Sequence, residues 1–556
     1  MEIDHSRIDP VRRSHGELEN HVIDEFVAGR LSRREFLRRG SIVGISIPAL
    51  GAIVAACGGA NSSSSSSQST SSGGAHKSPG TLRIASTTPA ASINPITVED
   101  EGGLTMLQQV GEFLVMDNPT THNADPMLAT KWTPNSDGTE WTFNLRPGVT
   151  FHNGKPMTAD DVVYTFKQQS NPNGKGNALS VFGGLLVPDG VTKVDDMTVK
   201  FSLETATGSF PYLISSDNYN CIIVPNGTNF DTFEKTMVAT GPFKLTKYTA
   251  KVGAQFVANP HWWRGKVGPA GLDWTFYATQ SPQIIALQSG NVDLVNDIAY
   301  QGAQSLFSSS QYQILDVHTS QHRELSMRCD KPPFNDPRVR QAIALTLDRP
   351  AIASALFGKY AQLGNDSPFA PIFTSTDTSV PQRHQDLAQA KQLLKEAGHP
   401  NGFSATLYTE QYQELPNLAQ IVKQSASKIG VNITINVSDQ NTYYSNYWLS
   451  GEMSLVDYGH RGVPNVFLNA TLTSKGSWNA AHFKNPTYDN LFKQFAAAVD
   501  LTTQRTIAGK IQRLLLQQTP IIIPYFFDEL GAGKPGIGGV VTTGMGQMFA
   551  GQAYQM

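Results

Sequence analysis

Residues 403–437 constrain the fold more than any other stretch of this chain. Residues 403–409 read as a strand, 418–429 as a helix ended by Gly430, and 431–437 as a second strand. In the second strand Val431, Ile433, Ile435 and Val437 recur at every second position. A strand, a crossover helix and a returning strand place the two strands parallel, which demands an α/β lobe with helices packed on its sheet. The 556 residues exceed what a single hydrophobic core organises, so two or three domains are expected.

Other segments declare themselves by their caps. Thr158 can cap a helix whose third position is Asp161 and whose apolar face carries Val162, Val163 and Phe166. Ser281-Pro282 reads as a cap followed by proline at the first helical position, with the helix stopping near Gly290. Asp336-Pro337 repeats the device. A further helix is expected over 386–397, closed by Gly398 and Pro400, and a last one over 503–518, before an apolar strand at 521–527. Residues 141–145 and 198–203 alternate like strands of a more antiparallel region.

The amino-terminal segment reads as an address. Ser32-Arg33-Arg34-Glu35-Phe36-Leu37 matches a twin-arginine export signal, and a weakly apolar run over 41–56 follows. That run has 16 residues, short of the roughly 20 a spanning helix needs. It ends at Val54-Ala55-Ala56-Cys57, a lipoprotein cleavage box, so lipidation is expected on Cys57 after removal of 1–56. Residues 57–80 include an unbroken serine run from Ser62 to Ser67 and can bury no core, so they read as a flexible tether. The body is thereby expected outside the membrane, anchored by lipid to its outer face.

Charge and motif content narrow the function. The net charge of −3 gives no basic excess for nucleic acid. Cys221 and Cys329 lack any Cys-x-x-Cys partner and read as two buried thiols, a disulfide between them being the alternative outside the cytoplasm, with no spacing for a metal site. His460 lies beside Arg461, which discourages a cation there. No Gly-x-Ser-x-Gly elbow and no His-Glu-x-x-His helix occur. Gly531-Ala532-Gly533-Lys534-Pro535-Gly536 matches Gly-x-Gly-x-x-Gly, but Pro535 obstructs the start of a phosphate-binding helix and too little chain follows, so the run reads as a loop. No nucleophile, base and orienter stand out, so no enzyme activity, cofactor or metal is expected.

Several stretches, taken in order, resemble the extracellular solute-binding proteins of family 5, the peptide-, nickel- and oligosaccharide-binding subunits of ABC importers. The first is Phe151-His152-Asn153-Gly154-Lys155-Pro156-Met157-Thr158-Ala159-Asp160-Asp161-Val162. Thr240-Gly241-Pro242-Phe243-Lys244-Leu245 and Asn259-Pro260-His261-Trp262-Trp263 follow. Pro332-Pro333-Phe334-Asn335-Asp336-Pro337-Arg338-Val339-Arg340-Gln341-Ala342, continuing to Asp348-Arg349, and Ala390-Lys391 through Glu396-Ala397-Gly398 complete the set. The resemblance implies a large, three-subdomain periplasmic-binding-protein-like α/β fold of two hinge-linked lobes. The first lobe would comprise 81–113, 205–318 and 516–556, with 114–204 inserted beside it. The second would comprise 319–515. It further implies a monomer that captures a solute between its lobes and delivers it to membrane permease subunits.

One departure bears on the solute. Peptide-binding members carry an aspartate in a second-lobe loop that holds the ligand ammonium, with a second acid before a proline. Anchored on Pro464, those positions fall on His460 and Val463. Both carboxylates are lost, Arg461 adds positive charge, and Asp457 stands three positions earlier as the candidate replacement. The resemblance makes Tyr458, Gly459, His460, Arg461, Gly462 and Trp478 the expected ligand-facing residues, with Ile93 and Asn94 from a first-lobe loop. The expected solute is oligopeptide-like or related. An exported hydrolase, or a surface sensor or adhesin on the same fold, are the alternatives.

Overall fold

The computed structural model describes residues 77–556; the leader, Cys57 and the tether to residue 76 lie outside the described residues. Among the described residues no helix is long and apolar enough to cross a membrane.

Two mixed sheets organise the chain. The first runs in the order Gln313–Val317, Glu529–Gly533, Leu294–Val295, Thr81–Thr87, Gly271–Tyr277, Gly253–Ala258 and Phe243–Thr249. Thr81–Thr87 is parallel to both Gly271–Tyr277 and Leu294–Val295. Beside this sheet stands an antiparallel sheet of Ala129–Pro134, Glu140–Leu145, Thr198–Ser202 and Val191–Asp195. The second mixed sheet is ordered Ala361–Leu363, Tyr525–Phe527, His322–Met327, Met453–Tyr458, Phe403–Glu410 and Val431–Ser438.

The crossover is present: Phe403–Glu410 and Val431–Ser438 pair in parallel, joined by the helix Leu415–Ser427. Leu418, Ala419, Val422 and Ala426 turn the same face of that helix into the core with Leu407, Val431 and Ile433. The Thr158 cap also holds. Asp161 accepts hydrogen bonds from the Thr158 backbone N–H at 2.8 Å and its hydroxyl at 3.2 Å. Asp336 and Asp386 cap Pro337–Ala344 and Leu387–Glu396 through their carboxylates.

Five expectations are corrected. The helix Gln280–Gln288 starts after Thr279, so Ser281 is inside it rather than its cap. The glycines of the 531–536 run are not all loop: Gly531 and Gly533 lie in the strand Glu529–Gly533. There their lack of a Cβ permits close approach to Asn296 O and Leu294. The apolar strand at 521–527 is broken around Pro524 into Ile521–Ile522 and Tyr525–Phe527, and both pieces join the second sheet. The chain therefore re-enters the first sheet at Glu529, not at residue 516. Of the two free thiols, Cys221 is buried but Cys329 is only partly so.

Alternation along His322–Met327 sets two buried charged groups on opposite faces. Arg323 donates to Glu414 through Nε at 2.6 Å and Nη2 at 3.2 Å, and its guanidinium covers the Phe527 ring. Glu324, facing the other way, is equally buried, yet neither carboxyl oxygen has a partner. A buried carboxylate without a counter-charge takes up a proton instead. Burial accordingly pushes the Glu324 pKa up from 4.5 to about 8. A raised acid gives full stability below its unfolded value and loses it as pH rises through its folded one. Stability should therefore fall between pH 4.5 and 8 by up to roughly 4–5 kcal/mol, taking 1.36 kcal/mol per unit as a ceiling. Denaturant unfolding of Glu324→Gln should show a gain over the parent that grows across that range; a pH-independent difference would contradict this reading.

Candidate functional site

The two mixed sheets are joined by two crossings of the chain, at residues 317–322 and 527–529. They lie side by side. The Thr319 hydroxyl donates to Phe527 O at 2.6 Å, Phe527 N–H donates to Gln321 O at 3.1 Å, and Gln321 Nε2 donates to Glu529 at 2.9 Å. The carboxyl ends of the parallel strands in each lobe carry the candidate ligand-facing groups, as expected for open α/β sheets.

The expected ligand-facing residues divide. Ile93 has no exposed surface and belongs to the first-lobe core, so its side chain does not face a solute. Asn94 is partly exposed; its Oδ1 accepts the Ile96 N–H at 2.9 Å and fixes the turn. Tyr458, 7% exposed, packs on Phe467 and stacks on Trp478 at 5.9 Å between centroids. It is core of the second lobe, and Trp478 spends one face on it. Alternation along Met453–Tyr458 explains this: Tyr458 falls opposite His322, on the inward face.

Gly459, His460, Arg461 and Gly462 form a loop against the first lobe. His460 is 5% exposed; its Nδ1 accepts the Ser320 N–H at 3.1 Å. In the neutral ring Nε2 then carries the proton, and it lies 3.4 Å from Asp217 Oδ1. Asp117, His460 and Asp217 bring one candidate ligand atom each within 4.8 Å. A metal would need the Nε2 lone pair, which the Ser320 N–H works against, so a hydrogen-bonded contact fits the ring better than coordination. Burial, then the neighbouring Asp217 carboxyl, hold the Asp117 pKa well above the carboxylate range. Arg461 is partly buried, donates to His460 O at 2.7 Å and has Tyr219 and Asp217 as its nearest electrostatic partners.

Glycine is required at position 462. A Cβ there would stand 1.8 Å from Asp217 Oδ2 and 2.7 Å from Asp117 Oδ2. Gly462→Ala should displace the Asp217 carboxylate from His460 and cost about 1–2 kcal/mol. In an Asp217→Ala background most of that cost should vanish when both are measured by denaturant unfolding; an undiminished cost would place the strain elsewhere.

Sequence reasoning missed a set of carboxyl groups. On the second lobe, Glu410 ends the strand Phe403–Glu410. The Tyr444 hydroxyl lies 3.1 Å from Glu410 and 2.9 Å from Asp457, and Gln440 donates to Glu410 at 2.7 Å. Burial, then the neighbouring Asp457 carboxyl, raise the Glu410 pKa to about 7. On the first lobe, burial followed by the Asp297 charge raises both Glu101 and Glu529 well above the usual range. Only Asp457 carried a signal in the sequence, through its place beside the departing loop.

The stretches with family resemblance are structural. Gly241 O accepts from Asn259 Nδ2 at 3.0 Å and lies 3.0 Å from His152 Nε2. Trp262 and Trp263 both donate their indole N–H to the buried Glu112, at 3.0 and 2.8 Å. These residues border a cavity of about 630 Å³ that also touches Met116, Met127 and Phe549, and no second-sheet residue lines it. It is therefore separate from the gap between the lobes.

A family model, "Bacterial extracellular solute-binding proteins, family 5 Middle", matches residues 123–479. The chain belongs to this family of ABC-importer solute-binding proteins. Among curated proteins it is similar to heme-binding protein A of Haemophilus influenzae, 27% identical over 445 residues, covering 75% of this chain and 81% of that one. It is also similar to the dipeptide-binding protein DppE of Bacillus subtilis, 25% identical over 458 residues, covering 76% and 82%. Among solved structures, HbpA2 from Haemophilus parasuis superposes with a TM-score of 0.78 at 22% identity, covering 86% of this chain and all of that one. The unliganded open form of the murein tripeptide-binding protein MppA gives 0.74 at 21%, covering 86% and 97%. The two-lobed α/β fold expected from the sequence is thus established, and the named relatives are binding proteins.

Proposed function

We propose that this chain is the lipid-anchored substrate-binding component of an ABC importer, capturing an oligopeptide-like or related solute between its lobes. The carrying observation is the pair of adjacent crossings that link two sheets, each with polar groups at the carboxyl ends of its parallel strands. Relatives named for di- and tripeptide and for glutathione binding support the solute class. The protein acts as a monomer, and the inserted segment 114–204 moves with the first lobe. Lipid on Cys57 holds it at the outer face of the membrane, within reach of the permease; the tether ends before Lys77, which bridges to Gln555, and Ser78, whose hydroxyl donates to Gly268 O.

Loss of the ammonium-holding aspartate to His460 argues against the usual mode of holding a free peptide terminus. His460 instead spends its Nε2 on Asp217 of the first lobe. Capture is reversible burial, so ligand raises stability by mass action without being consumed. The mature protein screened against di- to pentapeptides should gain about 2.7 kcal/mol at one hundred times Kd, read as a thermal shift, with the peptide recovered intact. Hydrolysed peptide would overturn the reading. Cys57→Ala should release the protein from the cell membrane fraction; full retention would overturn the lipid anchor.

A further inference from the structure

The cavity of about 630 Å³ in the first lobe lies outside the gap between the lobes and has the size of a small-molecule site. Its apolar surface is drawn from distant stretches of the chain: Met116 and Met127, Trp262 and Trp263, and Phe549. Methionine and aromatic side chains make an adaptable surface for an apolar body. The two carboxyl groups that border the cavity are already engaged. Glu112 accepts the indole N–H of Trp262 at 3.0 Å and of Trp263 at 2.8 Å, and Asp125 accepts from Asn118 Nδ2 at 2.7 Å.

The charge left uncommitted at this cavity is positive. Arg264, on its border, holds its guanidinium 4.7 Å from the centroid of the Trp263 ring, and Arg146 holds a second guanidinium 4.2 Å from the same ring. Among the described residues neither has a carboxylate oxygen within 4 Å, and Arg264 makes no hydrogen bond. Burial lowers the Arg264 pKa, with Glu112 acting against that and Arg146 adding to it. Two guanidinium groups sharing one indole are completed by an oxyanion, which their planar forks bind in bidentate fashion. Gln108 is a second, independent observation. It is buried at the cavity wall, and neither its Oε1 nor its Nε2 has a partner. Buried amide atoms are ordinarily paired, so this amide calls for a group that brings a donor and an acceptor together, as a second amide does.

We propose that this cavity is a second ligand site, separate from the gap between the lobes, for a small amphipathic carboxylic acid. The apolar body lies against Met116, Met127 and Phe549, an amide meets Gln108, and the carboxylate meets Arg264. N-acylated apolar amino acids combine the three features in one molecule. The site is independent of solute capture between the lobes, because every residue that borders it belongs to the first lobe or to the segment inserted beside it.

Isothermal titration of the mature protein with N-acetyl-phenylalanine, its uncharged carboxamide and phenethylamine tests this. The acid should bind roughly ten-fold or more tighter than the carboxamide, and phenethylamine should not bind. Arg264→Gln should erase the preference for the acid, and Gln108→Leu should weaken both acylated compounds. Arg264 is exposed and has no ion pair to lose, and the comparison of the three compounds needs no variant at all. Arg461→Gln, in the second-lobe loop, should leave binding unchanged. Binding lost in Arg461→Gln and kept in Arg264→Gln would assign the acid to the gap between the lobes and overturn the second site, while leaving the solute-capture reading intact. Carboxamide binding as tight as that of the acid would overturn the anion, and phenethylamine binding as tight would give the charge preference to Asp125 and overturn it equally. No heat from N-acetyl-phenylalanine at millimolar concentration overturns the inference.

Discussion

The paired crossings at 317–322 and 527–529 are the constraint on which the rest of this molecule depends. They are cross-linked by backbone and side-chain hydrogen bonds, including Thr319 to Phe527 and Gln321 to Glu529. Through them the two sheets are held as separate layers with separate cores, one built around Leu82, Ile84 and Phe143, the other around Leu325, Leu407 and Ile522. Because two adjacent segments carry the connection, a change of backbone angle there can move one lobe relative to the other, shifting the contact of Phe357 and Tyr360 with Tyr300 as it does so. Glu529 belongs both to this junction and to the carboxyl groups that burial and the Asp297 charge raise in the first lobe.

Polar groups are distributed by the same logic of partnership. Arg323 and Asp366 are buried and fully engaged, the latter taking hydrogen bonds from Arg349 at 2.7 and 2.8 Å and from Arg383 at 2.5 Å. Breaking pairs of this kind leaves an uncompensated charge and is destabilising. Glu324 has no partner and is neutralised by its surroundings. Glu101, Glu410 and Glu529 are intermediate: burial and a neighbouring carboxyl raise each of them above the usual carboxylate range.

How much of this could be read from the residues alone follows from the range of each interaction. The 403–437 crossover is a local pattern, since the apolar period, Gly430 and the two alternating strands lie within one segment. The caps Asp336 and Asp386 are local too, while Ser281-Pro282 misled because the helix begins two residues before Pro282, directly after Thr279. Lobe assignment of 521–527 depends on pairing with His322–Met327, about 200 residues away, which no local pattern reports. The same limit hid the carboxyl groups: Glu101, Asp297 and Glu529 in one lobe, and Glu410 and Asp457 in the other, are scattered along the chain and become neighbours only through sheet topology. Tyr458 was misplaced because adjacency to a loop does not decide which face of a strand a side chain takes, whereas pairing with His322 does.

Lobes linked by paired crossings should close on a captured solute by moving about those crossings. The most direct measurement is the distance between spin labels at the exposed positions Val257 and Val437, one on each lobe, with Cys329→Ser removing the partly exposed native thiol. Saturation with a solute that stabilises the protein should convert the distance distribution into a single, shorter population. A saturated protein whose distribution is unchanged would contradict the account.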